Sequence, residues 1–418
     1  MMRTVIVGNR ALAKHVLEHL LRNDWNVVGA VSAGGSAARK QAGYVPFNNL
    51  AENHGVKLIE TSNVNAPETK SQLEELNPDL CICPGWHQII DRSILTIPDR
   101  GFVGFHSSDL PDGRGGAPIN WSLINGKSHI TLSLFRYSEG VDDGDIIHKK
   151  RVGVENRDDV NTILDKLSFA ACDILSTIRE DFRCETIKTT PQSVAEATYR
   201  PRRQPQDGII NWELTTAELI DWIRAQTDPY PGAYTFLHGD RVIIWSAEPL
   251  DDNNNLDPGT IAHICEGEGI TVTTGDGTIR LKRIQKEGYP RMWADSFANR
   301  YNISSSDTFG RHHAPAAWTY TGIRNGSGGI NFTSSTNLKV GKTGNIQAVV
   351  DSPTDPTTIR INATFDSENI YENRINCTGR TTVPIEYTPE STGTHTLSIE
   401  FFNEKERIDR RYLKVFVS

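Results

Sequence analysis

The sequence predicts an α/β domain built on a mostly parallel sheet, followed by a small mostly-β domain and a terminal β-sandwich. Three observations carry this reading. Over residues 1–198, short apolar runs of strand length alternate with stretches of helical periodicity. Over residues 199–208, proline and charge break that alternation. From about residue 315, short alternating runs recur between Gly, Asn, Asp and Pro. A chain of 418 residues also exceeds one ordinary core, so two or three domains are expected.

Residues 4–7 (TVIV) read as a buried strand. Residues 11–21 follow as an amphipathic helix, with Leu12, Val16, His19 and Leu20 near helical spacing. Residues 27–31 are a second strand, Leu58-Ile59 a short third, residues 80–83 (LCIC) a fourth and residues 102–105 (FVGF) a fifth. Such alternation implies helices on both faces of the sheet. Ligands in sheets of this kind bind outside the carboxyl ends of the strands. His106 and the loop Gly85-Trp86-His87-Gln88 both follow predicted strands, so both belong to that rim. The turn after the first strand, Gly8-Asn9-Arg10-Ala11-Leu12-Ala13, lacks G-x-G-x-x-G, so a nicotinamide cofactor is not indicated. Arg10 at the helix start either meets a substrate phosphate or is an exposed turn residue.

Past the break, a helical stretch at 215–225 and short strands to about residue 283 suggest a barrel-like domain over 199–288. Residues 289–314, with Ser304-Ser305-Ser306 and His312-His313, read as a linker. Runs such as 346–350 (IQAVV), 359–363 (IRINA) and 413–417 (LKVFV) imply an immunoglobulin-like β-sandwich over 315–418.

No run of 18 apolar residues exists, so no transmembrane helix is expected. The N-terminus enters a strand pattern without the apolar region and cleavage site of a signal peptide, so a cytoplasmic location is expected. Cys81-Ile82-Cys83 is not a zinc or redox motif and reads as buried thiols on opposite faces of a strand. A net charge of −8 argues against a large nucleic-acid footprint. Asp142, Asp143 and Asp145 lack EF-hand spacing, and no metal is expected.

The chemistry concentrates in two motifs. The first is Gly104-Phe105-His106-Ser107-Ser108-Asp109-Leu110-Pro111, continued by Arg114-Gly115-Gly116-Ala117-Pro118. The second is Gly140-Val141-Asp142-Asp143-Gly144-Asp145, with Asp142 lying 36 residues after the histidine. A strand end carrying His and a turn carrying Asp can bring imidazole and carboxylate together. Acyl transfer to an amine needs such a pair, to stabilise an oxyanion and to take a proton from the amine.

In order and spacing, the two motifs resemble the folate-dependent formyltransferase family, which reads roughly N-x-H-x-S-L-L-P-x-x-R-G-x-x-P and then D-x-G-D. That family includes methionyl-tRNA formyltransferase, glycinamide ribonucleotide formyltransferase, formyltetrahydrofolate hydrolases and sugar N-formyltransferases. The resemblance covers about residues 1–285 and leaves the terminal sandwich without a counterpart. It implies a Rossmann-like catalytic domain over 1–198, a second domain over 199–288 similar to the C-terminal domain of methionyl-tRNA formyltransferase, N10-formyltetrahydrofolate as formyl donor, and His106 and Asp142 as the catalytic pair. It places the pterin between a wall of Trp86, His87, Gln88, Ile89 and Ile90 and a wall of Ser138, Glu139, Gly140 and Val141. Ser107, Asp109, Arg114, Gly115 and Arg10 are expected around the acceptor. Asp109 stands where a Leu is usual, and either faces the acceptor amine or caps the following turn. Arg114 suits a phosphate or a carboxylate. Ser133 stands where the family has Thr and keeps the hydroxyl. The main departure is Gly104, which occupies the place of an Asn whose side chain helps to bind the formyl oxygen. A water, a backbone amide or Ser107 would have to substitute.

Three acceptor readings compete: a nucleotide-linked amino sugar, methionyl-tRNA, or none, as in a 10-formyltetrahydrofolate hydrolase or binding protein. A tRNA enzyme needs a basic second domain, yet residues 196–290 carry 9 Lys and Arg against 15 Asp and Glu, a net of −6. The region 34–40, where the tRNA enzymes carry a basic loop, offers only Arg39 and Lys40. Residues 120–126 look like the corresponding segment of the enzyme that formylates UDP-aminoarabinose. The amino sugar is therefore the expected acceptor, with no nucleic-acid or membrane partner. By analogy, a homodimer and a glycan- or protein-binding role for the sandwich are also expected.

Overall fold

A computed structural model describes residues 2–35, 42–200, 202–250 and 255–310; beyond these it describes 320–321, 330–334, 341, 344–365, 368–388, 390–391, 393–402 and 407–417. Arg39 and Lys40 lie outside the described residues. The chain divides into two compact units, Met1–Arg114 with Lys127–Ala197, and Gly115–Gly126 with Thr198–Ser418. Among the described residues, no helix is long and apolar enough to cross a membrane.

In the first unit the chain forms β1 (Arg3–Val7), β2 (Asn26–Ala33), β3 (Lys57–Thr61), β4 (Leu80–Cys83), β5 (Phe102–His106), β7 (His129–Arg136) and β8 (Ile146–Gly153); of the short β6 (Arg114–Gly115), only Arg114 falls in this unit. One seven-stranded sheet takes the order β3-β2-β1-β4-β5-β7-β8. Its first five strands run parallel. β7 runs antiparallel to both β5 and β8. The order reverses direction between β1 and β4, the kind of place at which such sheets open a crevice at their carboxyl ends. The helix Ala11–Arg22 buries Ala13, Val16, Leu17 and Leu20, so two of the four expected inward positions, Leu12 and His19, yield to their neighbours. The long helix Val160–Cys184 starts at Asp159, whose carboxylate accepts from the Thr162 amide.

Cys81 and Cys83 are both fully buried, but in one cluster with Val5, Val7, Val31 and Phe102. The expectation that they point to opposite faces is corrected: residues two apart on a strand share a face.

In the second unit, β9 (Tyr199–Arg200) precedes the helix Thr216–Arg224, which opens on a reciprocal cap between Thr215 and Glu218. Beyond it lie β10 (Ala233–Leu237), β11 (Asp240–Leu250), β12 (Ile261–Cys265), β13 (Gly269–Thr273) and β14 (Thr278–Lys286), antiparallel in the order β10-β11-β14-β13-β12. The stretch expected as a linker is instead structured through residue 310. β15 (Met292–Trp293) pairs with β14, and the helix Ala294–Tyr301 sends Phe297 into a core shared with Trp212, Trp222, Leu281 and Phe309. The described strands from Tyr320–Thr321 to Arg407–Val417 join one antiparallel sheet. A second, facing sheet is not among the described residues.

Within this unit Arg203 lies over the rings of Trp121 and Trp222, at 5.0 and 4.7 Å from their centroids. Beside it, Asp207 is 1% exposed and accepts from the Gln204 amide. Burial outweighs these favourable neighbours and lifts the Asp207 carboxyl from 3.8 to about 6. A carboxyl raised on folding favours the native state most at low pH, and that contribution is lost as pH climbs through about 6. Asp207→Asn keeps an acceptor for Gln204 and removes the titration. Relative to the wild type, urea unfolding should show the variant gaining stability between pH 4 and pH 7, by at most about 3 kcal/mol.

Candidate active site

The site forms on the first unit, where β5 ends. Gly104 pairs with Phe135 and His106 with Ser133 across β5 and β7. His106 is the last residue of its strand, and it is 7% exposed. Its Nε2 lies 2.8 Å from the Gly113 carbonyl oxygen, and its Nδ1 lies 3.4 Å from Asp142 Oδ2. Both ring nitrogens therefore face oxygen. A doubly protonated ring can donate to both, a neutral ring to one.

Asp142 sits in the turn between β7 and β8 with φ +52°. Two devices hold this turn. At Gly144 a Cβ would lie 1.9 Å from the Arg136 carbonyl oxygen, so only glycine permits the approach. The Gln192 amide donates to the carbonyls of Asp142 (2.9 Å) and Gly144 (2.6 Å). Its oxygen accepts from Arg114 Nε (3.0 Å) and Nη2 (2.9 Å). Ser138 donates to the Asp143 carboxylate, and Glu139 pairs with Arg92 at 3.1 Å. A Cβ at Gly140 would lie 2.0 Å from the Asp143 carboxylate.

Arg114 is thus buried in the wall of the site, with Gln192 as a partner. Asp109 meets a cation of its own chain: Lys149 donates to its carboxylate at 2.6 Å and to the Leu110 carbonyl at 2.5 Å. Ser107 is buried, and Ser133 donates to the Ser108 carbonyl at 2.7 Å, so the hydroxyl kept at position 133 fixes the chain just past the histidine. Gly115 clusters with the second unit. Arg10 stands past β1 and donates to the Ala42 carbonyl at 2.6 Å.

The loop after β4 is also fixed. Gln88 accepts from the Val64 amide at 2.9 Å and donates to the Ser62 carbonyl at 2.7 Å. Asn65 donates to the Ile89 carbonyl at 3.0 Å. Ile90 is buried, Ile89 is exposed, and the rings of Trp86 and His87 lie 5.0 Å apart. Trp86 Nε1 is buried with no hydrogen-bond partner, a donor that suits a polar ligand entering beside the loop. Gln192, Lys149 and Tyr137 were not singled out from the sequence. The first two are isolated polar residues outside both motifs, 50 and 40 residues from Asp142 and Asp109 respectively.

A mostly parallel sheet whose carboxyl rim sets the buried His106 beside a half-buried Asp142 is an arrangement suited to moving a group by hydrogen bonding and proton transfer. Residues 2–178 match the formyl transferase family, and residues 202–302 match the formyl transferase C-terminal domain. Methionyl-tRNA formyltransferase of Bacillus subtilis (strain 168) is 31% identical over 313 residues, which is 74% of this chain and 98% of the relative. That of Caldanaerobacter subterraneus subsp. tengcongensis is 30% identical over 305 residues, 72% of this chain and 98% of the relative. An N-formyltransferase from Helicobacter canadensis, solved with folinic acid and dTDP-3-aminofucose, shares the fold. Its TM-score is 0.51 at 17% identity, over 67% of this chain and 99% of that one. HypX from Aquifex aeolicus in complex with tetrahydrofolic acid gives 0.52 at 17% identity, over 78% of this chain and 52% of HypX. The chain belongs to the formyltransferase family. It is a folate-dependent formyltransferase, with formyl-tetrahydrofolate as donor.

Removing the Gln192 side chain loosens the turn that carries Asp142. Gln192→Ala should lower kcat roughly 10- to 100-fold through misplacement of that carboxylate. It should also lower stability by about 1–3 kcal/mol, because buried partners lose their hydrogen bonds. Steady-state kinetics and urea unfolding of the same preparation check both.

Proposed function

We propose that this chain transfers the formyl group of N10-formyltetrahydrofolate to the amine of a nucleotide-linked amino sugar. The observation that carries the acceptor is the charge of the second domain, net −6 over residues 196–290, which offers a poor surface for a phosphate backbone. A second reading, methionyl-tRNA as acceptor, is favoured by relatives at 30–31% identity that match over 98% of their length.

When bound, the donor supplies a formyl carbon attached to a nitrogen leaving group. His106 Nε2, exchanging the Gly113 carbonyl for the formyl oxygen when the donor is bound, donates a hydrogen bond to that oxygen as negative charge grows there, where burial strengthens the bond. Asp142 orients the ring through Nδ1, accepts the proton lost by the attacking amine and returns it to N10 of the leaving tetrahydrofolate as the formyl C–N10 bond breaks. The loop 86–90 and the turn 138–142 close on the pterin and exclude water. Residues 315–418 act as an immunoglobulin-like module for a glycan or protein, a reading supported by their regular strand pattern.

Tetrahydrofolate release should be measured with UDP-, TDP- and GDP-linked amino sugars and with methionyl-tRNA. One amino sugar should support turnover, and His106→Ala and Asp142→Asn should each lower kcat by about 10²–10⁴. Turnover with methionyl-tRNA alone, falling steeply with salt, overturns the acceptor. Release without any amine makes the protein a hydrolase.

A further inference from the structure

Gly104 leaves a chemical gap, because the resembling family places there an Asn that helps to bind the formyl oxygen. A Cβ built on Gly104 would lie 2.2 Å from Tyr137 Cε1, 2.8 Å from Cζ and 3.0 Å from Oη. The space in which an Asn side chain would start is therefore filled by the tyrosine ring, with the hydroxyl oxygen at its edge.

The placement follows from strand register. Gly104 pairs with Phe135, and the Tyr137 amide donates to the Phe102 carbonyl at 2.9 Å. Phe102, Gly104 and His106 alternate onto one face of β5, as do Ser133 and Phe135 on β7. The Tyr137 ring packs on Phe102 (6.5 Å between centroids) and on Phe135 (5.3 Å). Tyr137, Gly104 and His106 therefore share one face of the sheet, and positions 104 and 106 lie about 6.6 Å apart along β5.

We propose that the Tyr137 hydroxyl supplies the hydrogen bond to the formyl oxygen that the missing Asn supplies elsewhere, so that Tyr137 and His106 together form the oxyanion site. The proposal rests on the formyl-transfer reading of the His106–Asp142 pair. The partner of the hydroxyl is the sulfur of Cys83, a weak acceptor, whereas an oxygen gaining negative charge is a strong one. The hydroxyl also stays a donor. Burial, with the neighbouring Cys83 and Asp142, holds the Tyr137 phenol well above its ordinary range, and burial holds the Cys83 thiol at about 12.

The test compares wild type, Tyr137→Phe, Tyr137→Ala and the double variant Gly104→Asn/Tyr137→Ala. Two quantities are read: kcat and KM for tetrahydrofolate release with the acceptor that the wild type uses, and dissociation constants for tetrahydrofolate and for 10-formyl-5,8-dideazafolate, which keeps a formyl group on N10. Tyr137→Phe preserves the ring and its packing. It should bind tetrahydrofolate as the wild type does, lose preference for the formylated analogue, and lose about 10²–10³ in kcat. Asn in the double variant should recover at least ten-fold of the activity that Tyr137→Ala loses. A Tyr137→Phe enzyme within three-fold of wild type in kcat, with its formyl preference intact, overturns the proposal. A wild type that releases no more tetrahydrofolate than His106→Ala overturns the formyl-transfer reading first, and this inference with it.

Discussion

The antiparallel pairing of β7 with β5 is the constraint on which the site depends. Four parallel contacts build the rest of the sheet and could have continued across it. At β7 the chain instead runs back beside β5, with Ser133 opposite His106. That register sets one hydroxyl to hold the backbone after the histidine and delivers the chain into the turn that carries Asp142. A parallel strand would have entered from the far end and placed a different loop against the imidazole. The meeting of His106 with Asp142 is thus written into a choice of strand direction before any side chain is considered.

The turn could not complete the site by itself. Residues 138–145 are mostly polar or glycine and bring little apolar surface to hold them. Their position is fixed by hydrogen bonds and close approach: Gly144 against the Arg136 carbonyl, and Gln192 bridging two turn carbonyls to the buried Arg114. Arg114 thereby changes its meaning. In the sequence it is a cation beside a motif, available to a phosphate or a carboxylate. In the fold its guanidinium sets a glutamine that holds the turn of the aspartate, so it acts on the geometry of the His106–Asp142 pair. Lys149 does the same for Asp109, whose charge is met from within the chain.

The sheet was legible because its strands are short apolar runs, and β4 falls on the expected residues 80–83. The His106–Asp142 pair was legible because two local strings, each with its own glycines and prolines, encode a strand end and a tight turn. What escaped is what depends on distant partners. Phe297 and Phe309 looked like linker residues because Ser304-Ser305-Ser306 and His312-His313 dominate that stretch, while their packing partners, such as Trp212 and Leu281, lie well upstream. Gln192 and Lys149 have no pattern around them. Tyr137 was hidden in another way: it follows an ordinary apolar strand, and only the three-dimensional register reveals that it fills the space above Gly104.

Gly104 and Tyr137 consequently behave as one unit. Adding any Cβ at position 104 drives it into the ring at 2.2 Å, and the ring cannot swing aside without leaving its packing on Phe102 and Phe135. Conversely, replacing the tyrosine by a small residue opens a cavity over a glycine that offers nothing to fill it. Exchange between an Asn-type and a Tyr-type site therefore requires both positions to change together. The two solutions also differ physically. An Asn amide rises from the strand itself and turns about two bonds. The phenol is carried on a rigid ring clamped by two aromatics, so its oxygen is positioned by packing, and little side-chain freedom remains to be lost when a ligand arrives. A donor held in this way suits a site in which the charge to be stabilised exists only briefly, because the position of its oxygen is set before the reaction begins and only the O–H bond has to turn.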